Sequence, residues 1–198
     1  MALTKKPRNC GDLRRSALGF KILFCAAACW FLAMPGIADA NNTDPAPEQF
    51  VSDAFNGEQV QPSMLWLDAE QRQQAERILT HRLGLLRVRY WRRDLSTAWI
   101  LDEIGKTEPI TIGVLVREGA LAQIRVLAYR ESRGDEVRHE FFTRQFLGAR
   151  LKPGSADLTG NIDGITGATL SVNAMRRVAR LALYFHALVV GDGANVGQ

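Results

Sequence analysis

Between residues 67 and 84, apolar side chains recur every three or four residues, the spacing of one face of an α-helix. The positions on this face are Ala75, Ile78, Leu79 and Leu83. Asp68 precedes them as a candidate N-cap, and Gln71 follows it by three residues, as in a capping box. Gly84 is expected to end the helix. The pattern therefore predicts one amphipathic helix across 67–84.

A longer helical pattern covers residues 171–190. Its apolar face consists of Val172, Met175, Val178, Ala182 and Phe185. Ser171 directly precedes this face and has a side chain suited to an N-cap, so we expect the helix to begin there. Arg176 and Arg177 lie off the apolar face, and we interpret them first as surface charges and second as phosphate partners. Residues 191–198 are expected to form a flexible tail.

Alternation of apolar and polar residues, the period of a half-buried strand, follows the first helix. It predicts strands over 85–91 and 97–105, and an antiparallel hairpin over 110–131 with its turn at Glu118 and Gly119. Residues 138–148 predict a short helix or turn. Antiparallel strands flanked by helices, without a strand–helix repeat, indicate an α+β fold with a single compact domain over 65–190.

The first 40 residues have the three parts of a secretory signal peptide. Six basic residues accompany the uncharged run 22–34, and "ADA" at 38–40 supplies small residues for cleavage. The run is shorter than the roughly 20 apolar residues of a membrane-spanning helix. We expect cleavage after Ala40, export, and a polar linker or N-terminal segment over 41–64. An uncleaved anchor, twin-arginine export and a lipoprotein modified at Cys29 are the alternatives.

Removal of residues 1–40 would change both the cysteine content and the charge. All three cysteines lie in this leader, so the mature protein would have no disulfide, thiolate chemistry or Cys-ligated metal or iron–sulfur site. The leader also holds six of the 25 basic and two of the 21 acidic residues, which leaves 19 of each. A neutral domain gives no overall electrostatic reason to expect nucleic acid as a partner.

The segment "NIDGITGATLS" at 161–171 combines glycines, hydroxyls and one acid just before the last helix. A helix N-terminus favours a phosphate, and Gly164 and Gly167 permit left-handed torsions and close approach by another molecule. The spacing fits neither a P-loop, nor the dinucleotide-binding G-x-G-x-x-G, nor a nucleophile elbow. From the residues alone, the segment is either a turn with a helix cap or a site for a phosphate-bearing cofactor.

Residues 163–171, Asp-Gly-Ile-Thr-Gly-Ala-Thr-Leu-Ser, resemble the acceptor motif of the FMN-binding domain family. That family includes subunits of the Na⁺-translocating NADH:quinone reductase and of the Rnf electron-transport complex. In it, a dedicated flavin transferase moves the FMN part of FAD onto the motif threonine as a phosphoester. The resemblance implies covalent FMN on Thr169. It implies further cofactor-binding roles for the rest of the motif: Asp163, Gly164, Thr166, Gly167, Ala168, Leu170 and Ser171.

For Asp163 the implied role is to orient Thr169 or to help the metal of the transferase, and a turn-forming interaction is the alternative.

The resemblance extends more weakly over 97–188. Residues 131–134 stand where the family has Glu-Thr-Pro-Gly, which makes Glu131 and Ser132 candidate flavin contacts. The candidates for an apolar surface under the isoalloxazine ring, each also explained as core, are Leu170, Tyr129 and either Phe141 or Phe142. The three histidines show no ligand spacing, so we expect no metal: His81, His139 and His186.

The resemblance implies an exported flavoprotein in the periplasm or on the outer face of the cytoplasmic membrane. It would carry electrons between a membrane-embedded redox protein and an acceptor, as a carrier or redox subunit with no catalytic residues of its own. Its second partner would be the FAD-dependent flavin transferase. Two alternatives remain: a non-catalytic docking or flavin-sensing module of a membrane redox complex, and a small flavin reductase. No NAD(P)H site is visible in the sequence to favour the reductase.

Overall fold

The computed structural model describes residues 46–191, and at its centre lies a five-stranded antiparallel sheet. The strands are β1 (Pro62–Trp66), β2 (Arg87–Arg93), β3 (Ser96–Ile104), β4 (Pro109–Arg117) and β5 (Ala120–Ala128). Each strand pairs with the next one along the chain, so their spatial order equals their sequence order. The flanking α-helices are α1 (Pro47–Ala54), α2 (Ala69–Leu79), α3 (Glu140–Thr143) and α4 (Thr169–Gly191). The predicted α+β class is confirmed, whereas the predicted signal peptide at 1–40 and the tail after residue 191 lie outside the described residues.

Strands β4 and β5 form the predicted hairpin. Its turn residues, Glu118 and Gly119, have φ values of 49° and 74°, and two positive torsions suit the twist of a two-residue hairpin turn. Strand β4 is buried from residue 110 to 116 because both faces of the sheet are covered there. At Gly113 the cover is the ring of Phe50, which would lie 2.8 Å from a Cβ at that position. The missing side chain therefore lets α1 lie directly on the sheet.

The segment predicted as a polar linker contains ordered structure. Helix α1 has a proline in its first turn and buries Phe50 and Ala54. These two residues pack on the sheet face that includes Ala98, Leu115 and Leu127. Residues 46–49 are exposed, and the residues that pack begin at Phe50, so α1 lies inside the segment 41–64 that was predicted as a polar linker or N-terminal segment. Apolar residues four positions apart are enough to give a short helix one apolar face.

Helices α2 and α4 share the main core on the other face of the sheet. The five residues predicted as the apolar face of α4 are all buried. One of them, Phe185, packs on Trp99 at 5.5 Å between ring centroids, and Trp99 stacks on Tyr90 at 5.0 Å. Within residues 46–191, no helix combines the length and the apolar character needed to cross a membrane.

Helix α2 begins as predicted and ends earlier. The Asp68 carboxylate accepts the Gln71 N–H at 2.8 Å, and the Gln71 side chain accepts the Asp68 N–H at 3.2 Å, which confirms the capping box. The helix ends at Leu79 because Thr80 takes the left-handed conformation, with φ 65°. Gly84 is therefore not its terminator.

Residues 135–148 form short helical turns, as predicted in outline. Two 3₁₀ turns, Asp135–Arg138 and Arg144–Phe146, flank α3. Phe142 and Phe146 are fully buried and meet edge to face at 5.5 Å between centroids. The loop from 149 to 168 then leads the chain to α4.

Candidate functional site

The loop before α4 makes one tight turn and then enters the helix. The Ala168 N–H donates to the Ile165 carbonyl at 3.0 Å, and Gly167 inside this turn has φ 86°. A turn of this kind needs a residue with positive φ at its third position. The Val172 N–H then donates to the Ala168 carbonyl at 2.9 Å. Ala168 is therefore the N-cap, and Thr169 is the first residue of the helix.

Gly164 does not adopt the left-handed torsions that glycine permits, and the prediction of Ser171 as the N-cap is wrong. Gly164 has no positive φ, and a Cβ on it would meet nothing within 4 Å, so the backbone does not require glycine there. Ser171 is not the N-cap but a buried residue in the first turn of α4. The turn at Gly167 starts the helix two residues earlier than the periodicity of apolar positions indicated.

The start of α4 has no side-chain cap. Ala168 carries no polar side-chain atom, and among residues 46–191 no group accepts a hydrogen bond from the amides of Thr169, Leu170 or Ser171. Alanine in place of Ser, Thr, Asp or Asn at an N-cap costs about 1 kcal/mol of helix stability. These amides and the positive end of the helix dipole are thus free to bind an anion beside the exposed Thr169. The local chemistry fits a phosphate.

A hydrogen-bonded contact joins the first turn of α4 to the segment after β5. The Tyr129 hydroxyl donates to the Arg133 carbonyl at 2.6 Å, and Ser171 Oγ lies 2.9 Å from the same hydroxyl oxygen. Since the phenol proton is used at Arg133, Ser171 is the donor in the second bond. Burial raises the pKa of Tyr129, so the phenol stays neutral at physiological pH.

Gly134 brings the same two segments into close contact. Its φ is 92°, and a Cβ on it would lie 2.9 Å from both Tyr129 Oη and Ser171 Oγ and 3.3 Å from Ala168 Cβ. Gly134, the last residue of the segment 131–134, therefore lies directly against the motif.

The Glu131 carboxylate binds a different turn. It accepts the backbone N–H groups of Glu108, Thr107 and Lys106 at 2.9, 2.6 and 2.5 Å. These amides, that of Glu108 first, lower the pKa of Glu131 to about 2. Glu131 thus stabilises the β3–β4 turn with the oxygens that were expected to contact flavin. Ser132, the other candidate in this segment, is exposed.

Contacts from other parts of the chain hold the Asp163 end of the loop. The Asp163 N–H donates to Gln145 Oε1 at 2.7 Å, and Asp163 Oδ1 accepts Asn161 Nδ2 at 3.0 Å. The Arg176 guanidinium donates to the Ile162 carbonyl. The interpretation of Arg176 as a surface charge is therefore wrong, since it braces the loop from the second turn of α4.

The candidates for a flavin-ring surface differ in exposure. Phe142 is fully buried in the core, and Tyr129 is half-buried with its hydroxyl already bonded. Leu170 is 49% exposed and Phe141 is 55% exposed. Leu170 is adjacent to Thr169 in sequence and is the exposed apolar side chain nearest to it along the chain.

A buried ion pair fixes α4 to the sheet near this site. Glu103 on β3 has a side chain that is 1% exposed, and it accepts Arg177 Nε at 2.8 Å and Arg177 Nη2 at 2.7 Å. His81 Nε2 lies 3.0 Å from the same carboxylate. Arg177 also donates to the Ile104 carbonyl at 3.0 Å. The prediction of a surface charge at Arg177 is wrong, because the sheet places a buried carboxylate beneath it.

The histidines have separate environments. His186 is buried, with Nδ1 2.8 Å from Thr97 Oγ1 and Nε2 accepting the Gly119 N–H at 3.1 Å. Burial, and then the charge of Arg92, lower the pKa of His186 to about 4. His139 is exposed. In the part of the chain that the structure describes, no group of three or more His, Cys, Asp or Glu side chains is placed to hold a metal ion.

Sequence reasoning missed the residues that position the motif. Gln145, Gly134 and Arg176 contact the loop from a 3₁₀ turn, an irregular segment and a helix respectively. No local pattern marks Gln145 or Arg176 for this role. The glycine at 134, two residues after the candidate Ser132, was the one available signal.

Comparison with known proteins gives one match. Residues 105–184 match the family model of the FMN-binding domain. The matched range begins at the β3–β4 turn and ends in α4, so it includes residues 131–134 and the whole of 161–171. No curated protein and no solved structure matches the chain. The match supports flavin binding, with FMN as the cofactor.

Proposed function

We propose that this member of the FMN-binding domain family holds its FMN covalently, as a phosphodiester on Thr169, and acts as an exported electron carrier. FMN supplies one- and two-electron redox chemistry when bound. The observation that carries the proposal is the first turn of α4, where an exposed threonine hydroxyl adjoins amides that no group among residues 46–191 caps. We assign the neighbouring motif residues 163–171 to the same cofactor site.

Thr169 is placed to accept the FMN part of FAD from a flavin transferase. In this step Thr169 Oγ bonds to the phosphorus on the flavin side of the pyrophosphate, the bond to the other phosphate breaks, and AMP leaves. The hydroxyl proton passes to a base that we assign to the transferase. Thr169 is exposed at a helix start, so an enzyme can approach it without unfolding the domain.

The resulting phosphodiester would keep one negative charge at the positive end of α4. The free amides of the first turn donate to its oxygens, and the helix dipole contributes about 0.3–1 kcal/mol, or up to about 2 kcal/mol if the charge is partly buried. Arg176 does not take part, because its guanidinium is used at Ile162 and Asn173.

Covalent attachment suits a carrier outside the cytoplasm, where free FMN is scarce. A non-covalent site with a Kd of about 10 nM, about −11 kcal/mol, empties when the free ligand is much more dilute than that. A phosphodiester removes this equilibrium. The exposed position of Thr169 and Leu170 would keep the flavin at the surface, where a membrane-embedded redox protein can reach it.

The test compares Thr169 with a hydroxyl in the loop before α4. The protein is produced with a flavin transferase in an exporting host, as wild type, Thr169→Ala, Thr169→Ser and Ser155→Ala. Ser155 is the matched control, because it is also exposed and lies outside the motif 163–171. We expect wild type and Ser155→Ala to stay yellow after urea denaturation and to give an FMN-modified 169 peptide, and Thr169→Ala to be colourless. An unmodified Thr169 peptide in the wild type would refute the attachment.

Electron transfer is tested separately from attachment. Thr169→Ala should abolish flavin-dependent electron transfer in membranes of the exporting host, whereas Ser155→Ala should retain it. If Thr169→Ala supports normal transfer, the carrier role is wrong and a non-catalytic docking module is the better description.

A further inference from the structure

A cluster of exposed apolar side chains lies where β1 and the start of β2 form one edge of the sheet. It consists of Met64, Trp66, Leu85 and Leu86, which are 41, 65, 55 and 59% exposed, and is called the edge patch below. The Leu67 N–H donates to the Leu86 carbonyl at 3.1 Å, so the two segments are in direct contact. The edge patch lies outside the range 105–184 that matches the FMN-binding domain.

The edge patch is not a scatter of ordinary surface residues. Single exposed apolar side chains need no explanation, but contiguous groups mark interaction surfaces. Four of the nine large exposed hydrophobic residues in the described part of the chain fall within these two short segments. Along β1 only Leu65 is buried, so the core does not account for Met64 or Trp66.

Arginines surround the edge patch. Residues 82–93 contain five arginines and no acid. Across the β1–β2 pair, Arg87 lies opposite Trp66 and Arg89 lies opposite Met64. The Arg87 guanidinium is 5.7 Å from the centroid of the Trp66 ring.

Three of these arginines also lack carboxylate partners. Arg82, Arg87 and Arg89 are exposed, and within residues 46–191 none of them forms an ion pair. Arg93, further along β2, differs in being paired with Glu58. Within the described residues, Arg87 and Arg89 therefore place positive charge beside the edge patch that no ion pair offsets.

We propose that the edge patch binds the surface of an anionic phospholipid bilayer. Tryptophan with flanking leucine favours the headgroup boundary, and neighbouring arginines are attracted to lipid phosphates. Charge complementarity selects this occupant: the chain after residue 40 has equal numbers of basic and acidic residues, so the positive charge is local. A second copy of the chain fits less well, because self-pairing would bring the two sets of arginines together. Binding would hold the domain at the membrane surface, independently of the flavin.

The test measures co-sedimentation with large vesicles made of equal parts phosphatidylglycerol and phosphatidylcholine, and with vesicles of phosphatidylcholine alone. We expect binding to the anionic vesicles that weakens as salt is raised. Neutralising two arginines, Arg87→Gln with Arg89→Gln, should weaken binding roughly 30-fold. Trp66→Ala should weaken it at least about tenfold and should remove part of the blue shift of tryptophan emission on vesicle addition.

Matched controls come from exposed residues elsewhere on the domain. Phe141→Ala removes an apolar side chain of similar exposure, and Arg144→Gln removes an exposed cation. Both should bind vesicles as the wild type does. All variants are isolated from the same exporting host and checked for an identical N-terminus by mass spectrometry. Thr169→Ala should also bind normally, so a failure of the flavin proposal leaves this one intact.

Three results would overturn the proposal. They are no binding to anionic vesicles, equal binding to both lipid compositions, and unchanged binding by the edge-patch variants. Sedimentation velocity tests the alternative occupant, a second copy of the chain. If the wild type self-associates and Trp66→Ala is monomeric, the edge patch is an interface between copies and lipid binding is wrong.

Discussion

Substitution of Gly134 tests how closely residues 131–134 pack on the start of α4. A non-glycine residue at φ 92° carries strain of about 1–2 kcal/mol. The new Cβ would also lie 2.9 Å from Tyr129 Oη and from Ser171 Oγ, so one oxygen must move and their hydrogen bond, about 1 kcal/mol, is lost. Gly134→Ala should therefore reduce the free energy of unfolding by about 2–3 kcal/mol. At about 2–4 °C per kcal/mol for a domain of this size, the Tm falls by about 4–12 °C.

Two other glycines of the site provide graded controls. Gly167 has φ 86° but open space around a Cβ, so Gly167→Ala should cost only the strain, about 1–2 kcal/mol. Gly164 has neither a positive φ nor a close neighbour, and Gly164→Ala should leave stability unchanged or raise it by about 0.4–1 kcal/mol. Equilibrium urea unfolding, followed by circular dichroism, ranks the stabilities of the three variants. A Gly134→Ala variant as stable as wild type, or a Gly164→Ala variant as unstable as Gly134→Ala, would refute the packing argument.

Three further predictions concern groups around the site. Arg177→Met should lower the free energy of unfolding by about 3 kcal/mol in urea titrations, because it leaves the buried Glu103 with only His81 as a charged partner, whereas Arg144→Met should change it by less than about 0.5 kcal/mol. The pKa of His186 is about 4 in the folded state and about 6.5 when unfolded, so the unfolded chain binds more protons between these values. Stability should therefore fall as pH is lowered from 7 to 4, and a wild type whose urea midpoint is constant over this range contradicts the burial of His186. The pKa of Glu131 is about 2 in the folded state, against an ordinary 4.5. The charged carboxylate therefore contributes to the free energy of unfolding above pH 4.5, and this contribution is lost as the pH falls toward 2. In urea titrations, Glu131→Gln should lose less stability than the wild type over this range.

Local signals were enough to determine most of the secondary structure. Asp68 and Gln71 satisfy each other's amides within one turn, so the start of α2 follows from four consecutive sequence positions. Glu118 and Gly119 form the hairpin turn, and the apolar periodicity of α4 matches its buried face. The ends of helices were predicted less accurately. Thr80 ends α2 by taking a left-handed conformation, which glycine adopts more readily. For this reason the helix end was wrongly predicted at Gly84.

The sequence by itself determined the resemblance to the FMN-binding domain and the local backbone of the proposed site, because the motif at 163–171 is contiguous and forms a turn and a helix start within nine residues. Only the tertiary structure decided which polar atoms in and around that segment are free. Ser171 is bonded to Tyr129, and Glu131 to the β3–β4 turn, while Thr169 remains exposed. The physical reason is that a polar side chain is fixed by the partner that the fold brings to it, and these partners lie more than 20 residues away in the chain.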